Sequence, residues 1–213
     1  MTTERNILLA KKYMVESIYR SANIEGIGVT FPETQAICDG MSISGHTIDE
    51  INAVNDLKNA WRYIFDNIEK LNPDLELLKT LNQICGKNTV LNSGCLRNGY
   101  DEPIRITLKD GRSYYPQLPD EDRIKSDLEM ILNQNNVAGE LFCYICKGQF
   151  FMDGNKRTAT LYANFYMIKN GLGILSIPPE KKLDFYNLLT DFYEDDNKKK
   201  EIIDFLYESC ITL

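Results

Sequence analysis

The chain has 213 residues, 43% hydrophobic and 26% charged, which is the balance of an ordinary globular protein with a core of normal size. Its net charge of −7 opposes a polyphosphate backbone at long range, so general nucleic-acid binding is disfavoured, while one small basic pocket for a mononucleotide is not excluded. No run approaches the ~18 apolar residues of a membrane span, and no signal-peptide pattern opens the chain. The six cysteines are scattered, which reads as a cytoplasmic protein with reduced thiols.

In chain order, residues 5–24 read as one helix, with Ile7, Leu8, Tyr13, Met14, Ile18 and Tyr19 near helical spacing and Gly26 and Gly28 as its stop. Residues 30–37 suggest a short helix with Pro32 in its first turn. His46, the single histidine, reads as an exposed turn residue. Thr47 and Glu50 form a capping-box signature for a long helix over 47–68, striped by Ile51, Val54, Leu57, Trp61, Ile64 and Ile68. A further helix is expected over 75–84, closed by Gly86.

Residues 103–116 change character. Ile104, Ile106 and Leu108 alternate with Arg105 and Thr107, and Asp110-Gly111 supplies a hairpin turn. This is the one strand pair that the pattern supports, and a lone hairpin must lean on helices to be stable. Helices resume over 120–133, 139–147, 153–170, 179–192 and 198–210. Cys143 and Cys146 form a lone CxxC pair inside a buried helical pattern, without the second ligand pair of a structural zinc site. Lys198, Lys199 and Lys200 follow three acids and read as a solvated surface. No linker or repeat divides the chain, so residues 1–213 are expected to form one mainly α domain.

The informative stretch joins two helical patterns at Gln149-Phe150-Phe151-Met152-Asp153-Gly154-Asn155-Lys156-Arg157. A helix start leaves backbone N–H groups unpaired and carries partial positive charge, so it suits an anion. Gly154 lets a phosphate approach the backbone, Asn155 offers amide donors, and Lys156 and Arg157 offer full charge. Asp153 suits Mg²⁺ held jointly with phosphate oxygens. On local physics alone, a capped turn with Lys and Arg in a solvated first turn is the favoured reading.

This stretch resembles the signature of the Fic (Fido) family, His-x-Phe-x-Asp/Glu-Gly-Asn-Gly/Lys-Arg-x-x-Arg, at Phe151, Asp153, Gly154, Asn155, Lys156 and Arg157. Ser21 to Gly26, with Glu25, resembles the family's inhibitory motif. Gly94 to Gly99 with the hairpin resembles its flap segment, and Asn52 to Leu57 the long helix before it. The resemblance implies a Fic-type helical bundle with one β-hairpin flap and an N-terminal inhibitory helix at about 5–25. It implies ATP and Mg²⁺ as cofactors, with Asp153 on the metal. Gly154, Asn155, Lys156 and Arg157 would lie at the nucleotide, and Ser21, Glu25 and Gly26 would form the inhibitory motif. A target protein would dock along Ile104, Arg105, Ile106, Thr107 and Leu108 by strand addition. Family members often self-associate, which makes a homo-oligomer one implied assembly.

Two positions depart from the pattern. Gln149 stands where the family has its catalytic histidine, and an amide cannot take up a proton usefully near neutral pH. Losing a general base costs roughly 10²–10⁴-fold in rate. Thr160 stands where a second arginine is common, which leaves Arg157 as the expected partner of Glu25. The expectation is a Mg²⁺–ATP-binding, AMP-transferring protein, self-inhibited by Glu25 and weakened by Gln149. The alternatives are an inactive nucleotide-binding or protein-interaction module, or a phosphotransferase resembling the Doc toxin branch.

Overall fold

Residues 1–213 are described by a computed structural model. It contains nine α-helices, and the first five begin where short polar side chains satisfy free backbone N–H groups. Thr2 caps α1 (Thr3–Ile24), Asp74 caps α4 (Leu75–Cys85) and Asp120 caps α5 (Glu121–Ile131). Reciprocal capping boxes start α2 (Phe31–Cys38), from Thr30 and Glu33, and α3 (Ile48–Asn67), from Thr47 and Glu50. The chain continues through α6 (Val137–Gly148), α7 (Asn155–Lys169), α8 (Lys182–Glu194) and α9 (Lys199–Ser209).

α7 is the central helix. Its buried positions run around the whole cylinder, from Arg157 and Thr158 to Met167 and Ile168, as expected of a helix enclosed by neighbours. α6, α4 and α1 pack against it. One hydrophobic cluster of 49 buried residues runs from Ala10 in α1 to Cys210 at the end of α9, with Trp61, Phe142, Phe151, Tyr162, Phe165 and Phe185 among its largest members. No helix is long and apolar enough to cross a membrane.

The expected hairpin is present and short. β1 (Ile106–Thr107) pairs antiparallel with β2 (Ser113–Tyr114), Ile106 opposite Tyr114. Gly111, at φ +84°, turns the connection, and its N–H bonds the Leu108 carbonyl at 3.1 Å. Ile104 and Arg105 lie before β1. The alternation holds, with Ile104, Ile106 and Leu108 turned inward and Arg105 and Thr107 exposed.

Two expectations are corrected here. A second two-stranded sheet exists, in which β3 (Ile174–Leu175) pairs with β4 (Ile211–Thr212). Strands of two residues are too short to display alternation, so the pattern could not reveal them. His46 is not an exposed turn residue. Its side chain is 11% exposed and sits between the two capping-box acids, 3.2 Å from Glu33 and 3.6 Å from Glu50.

α1 is fixed at both ends. Asn6 exchanges hydrogen bonds with the Gly173 backbone, at 3.0 and 2.6 Å. At the other end Lys182 and Tyr186 of α8 each donate at 2.5 Å, to the carbonyls of Asn23 and Ile24. This anchoring delivers Glu25, the C-terminal cap of α1, to the start of α7.

Candidate functional site

The turn between α6 and α7 is held by side-chain amides. Gln149 ends α6 in the left-handed region, at φ 45°, a conformation uncommon for a residue with a Cβ. Its Nε2 donates to the Cys146 carbonyl at 2.7 Å and the Tyr193 hydroxyl at 3.2 Å, and its Oε1 accepts from Asn155 Nδ2 at 3.1 Å. Asn155 also donates to the Phe151 carbonyl at 2.7 Å and accepts the Phe151 N–H at 3.0 Å. Both Asn155 donor hydrogens are thus used within the loop, so Asn155 shapes the cradle instead of pointing its amide at an anion, as the sequence suggested.

Gly154, at φ +76°, caps α7 and brings no side chain to the helix start. Its N–H donates to its neighbour Asp153 Oδ1 at 2.6 Å. The next three N–H groups, of Asn155, Lys156 and Arg157, have no acceptor, and the helix bonds begin with Thr158 N–H to the Gly154 carbonyl at 2.8 Å. The first turn contains no acid. Arg157 is buried beneath the turn, where Nη1 donates to the Cys85 carbonyl at 2.9 Å and Nη2 pairs with Asp153 Oδ2 at 3.2 Å. Its Nε is buried and unpartnered. Asp153 itself is largely solvent-facing, its side chain 62% exposed. Its carboxylate thus satisfies both the Gly154 N–H and the Arg157 guanidinium, much as an anion would.

Glu25 reaches this turn, but its cation is Lys156, with Nζ 3.6 Å from Glu25 Oε1, and not the expected Arg157. The reason is positional: Arg157 points beneath the turn to Cys85 and Asp153, while Lys156 projects toward α1 and α8. Burial alone would push the Lys156 ammonium down; the Glu25 carboxylate, with Tyr186, outweighs it and leaves Lys156 above its ordinary value of 10.5. Thr160 turns back and donates to the Lys156 carbonyl at 3.0 Å, so it supplies nothing to Glu25. Ser21, Glu25, Lys156 and Thr160 line one small gap, and Gly26, at φ +81°, carries the chain out of α1.

The hairpin is fastened near Gln149. Tyr114 stacks on Tyr193, with centroids 5.5 Å apart, and donates to the Lys147 carbonyl at 3.0 Å. Lys109 pairs with Asp191 at 2.5 Å, and Arg112 with Glu194. Buried Arg97 donates to the Gln149 carbonyl at 2.5 Å and the Gln117 carbonyl at 2.9 Å, tying the segment before the hairpin to the loop.

Two residues of the site escaped the sequence reading. Tyr193 gave no signal, since an aromatic near a helix end reads as core. Asn82 did give one: it is a polar residue in the apolar stripe Leu75, Leu78, Asn82, Cys85 of α4. A groove of about 760 Å³ touches Gly148, Phe150 and Tyr193 but none of residues 153–157. Cys143 and Cys146 are buried, with burial pushing both thiols up. No three His, Cys, Asp or Glu side chains converge as a metal cage. A metal at Asp153 would therefore take one protein carboxylate, which fits Mg²⁺ shared with substrate phosphates and water.

No protein-family model matches the chain. Similar curated proteins are the protein adenylyltransferase Fic of Drosophila willistoni, 25% identical over 183 residues and 84% of this chain, and the protein adenylyltransferase fic-1 of Caenorhabditis elegans, 24% identical over 176 residues and 79% of this chain. The chain spans 37% and 34% of their respective lengths. Among solved structures, a Fic-domain-containing signalling protein from Bacteroides thetaiotaomicron superposes with a TM-score of 0.78 at 17% identity, covering 93% of this chain and 82% of that one. Fic-1 of C. elegans superposes with a TM-score of 0.74 at 20% identity, covering 94% and 61%.

Proposed function

Because the chain belongs to the Fic (Fido) family, we propose that it binds a Mg²⁺-nucleotide at residues 153–157 and slowly transfers AMP from ATP to a hydroxyl of a target protein. The observation that carries this reading is the first turn of α7, where three N–H groups without acceptors lie above a buried arginine whose Nε is unpartnered. Donors left unsatisfied in this way, at the positive end of a helix, suit phosphate oxygens. Residues 1–213 are read as one such domain.

In this reading Asp153 would leave the Gly154 N–H and Arg157 to hold Mg²⁺, and phosphate would take its place on those donors. Bound Mg²⁺ supplies charge neutralisation at the phosphates. The backbone amides from Gly154 to Arg157 orient the phosphates, Arg157 balances their charge, and Asn155 holds the loop in shape. Glu25 opposes this arrangement by holding Lys156 toward α1. The free edge of β1 takes the target segment in extended form.

Gln149 makes the reaction slow. Its amide is engaged on three sides, by Cys146, Tyr193 and Asn155, and has no basic atom for the target's proton. The same observation favours a second reading, in which the protein binds nucleotide and transfers nothing.

The readings separate with ATP labelled at the α- or the γ-phosphate, incubated with cell lysate and the Glu25→Gly protein. α-Label on protein supports AMP transfer, and γ-label supports phosphotransfer. Calorimetric binding of Mg²⁺–ATP without any label supports the binding module. Absence of Mg²⁺–ATP affinity even after Glu25→Gly sinks every nucleotide reading.

A further inference from the structure

Asn82 is 1% exposed and stands where three segments meet. From α4, its Nδ2 donates to the Asp153 carbonyl and to Thr158 Oγ1, each at 3.0 Å. Its Oδ1 accepts the Gly94 N–H at 2.7 Å. One amide therefore joins the loop before α7, the first turn of α7 and the segment leading to the hairpin.

The contact with the Asp153 carbonyl has a geometric consequence. A trans peptide holds its C=O and the following N–H in one plane, pointing in opposite directions. Fixing the Asp153 oxygen toward α4 therefore aims the Gly154 N–H away from α4, where it meets the Asp153 carboxylate. The bond to Thr158 Oγ1 fixes the depth at which α7 starts. Asn82 also walls the cradle: a Cβ added to Gly154 would lie 3.2 Å from Asn82 Nδ2.

We propose that Asn82 is a positioning residue for the phosphate cradle, setting the direction of the Gly154 N–H through the Asp153 carbonyl. The proposal rests on the nucleotide reading above. It assigns Asn82 no contact with the substrate. Aspartate at this position keeps the shape and can still accept from Gly94 and Thr158, but it has no donor for the Asp153 carbonyl and sets a charge against it.

The test is Asn82→Asp in a Glu25→Gly background, with Leu78→Ala as control. Leu78 lies one turn earlier on the same buried face of α4, and the Leu78→Ala variant loosens the core without removing a hydrogen bond to the loop. Labelling with ¹³C′-Asp and ¹⁵N-Gly isolates three peptide groups, Asp39-Gly40, Asp110-Gly111 and Asp153-Gly154. Asn82→Asp is expected to shift the Gly154 amide signal alone, and to weaken Mg²⁺–ATP in calorimetry by about tenfold or more, the worth of one hydrogen bond to a charged group. Leu78→Ala, compared at an equal loss of Tm, is expected to leave both unmoved. An unmoved Gly154 signal, or unchanged affinity in a parent that binds Mg²⁺–ATP, overturns the proposal alone. A parent that takes up no Mg²⁺–ATP overturns the nucleotide reading and this proposal with it.

Discussion

Lys156 Nζ lies 3.6 Å from Glu25 Oε1, and this pair is the contact by which α1 reaches the start of α7. Both side chains are mostly buried, 28% and 16% exposed, so the pair is less screened than a surface one. Cutting it should have two effects of opposite sign. Glu25→Gly leaves a mostly buried ammonium unpaired and should lower stability by about 1 kcal/mol. It also frees Lys156 for phosphate and should tighten Mg²⁺–ATP about tenfold. Thermal unfolding and calorimetry on the same preparation read both. A variant that loses stability without gaining affinity would show that Glu25 is structural and not inhibitory.

The same pair makes a pH prediction. Lys156 is raised above its ordinary value of 10.5 in the fold. A cation raised by folding contributes stability that is full below its unfolded pKa and lost as pH rises through its folded pKa. The Tm difference between the parent and Lys156→Met should therefore stay level through neutral pH and shrink only above about 10.5, the unperturbed lysine range. A difference that collapses between pH 6 and 8 would assign the contact to another group.

Acid should act elsewhere, on the α2 cap. Thr30, through its hydroxyl and its backbone N–H, and then His46 hold the Glu33 carboxyl down at about 2, below its ordinary 4.5. A depressed carboxyl contributes stability above its unfolded pKa and loses it as pH falls through the folded one. Glu33→Gln should flatten the loss of helical signal between about pH 4.5 and 2, read by far-ultraviolet circular dichroism. A mutant with the parent's acid limb would show that the cap does not govern this transition.

Gly154 should tolerate no side chain. Its φ of +76° costs an L-residue roughly 1–2 kcal/mol, and a Cβ would lie 3.2 Å from Asn82 Nδ2 and 3.4 Å from Arg157 Nη2. Gly154→Ala is expected to lower urea-unfolding stability by about that amount and to lose Mg²⁺–ATP binding. Retained binding would place the phosphates away from this turn.

Much of this was legible in the sequence, for physical reasons that differ by element. The helices showed because apolar spacing and polar caps are local features: Thr47 with Glu50, or Ile51 to Ile68, need no knowledge of the rest of the chain. The hairpin showed because Ile104, Ile106 and Leu108 alternate before Asp110-Gly111. What stayed hidden is what depends on where side chains meet across the fold. The cation opposite Glu25 is set by the direction in which two adjacent residues leave α7, and sequence order cannot distinguish Lys156 from Arg157. The same holds for Asn155, whose amide turns into the loop, and for His46 between two acids that belong to different helices.

Gln149 decides how far the site can go. Its amide is held by Cys146, Tyr193 and Asn155, and its backbone already adopts φ 45°. A histidine there would occupy the same strained backbone, so the exchange adds no new backbone strain. It would keep one ring N–H for the Cys146 carbonyl or Tyr193, leaving the other nitrogen free to accept a proton. If the cradle is otherwise complete, Gln149→His combined with Glu25→Gly should raise transfer of α-label to protein by about 10²–10⁴-fold, the worth of a general base. The increase should follow imidazole titration, rising with pH through about 6.5. If Mg²⁺–ATP binds but no label appears in the double variant, the missing base is not the only defect, and the protein is a binding module.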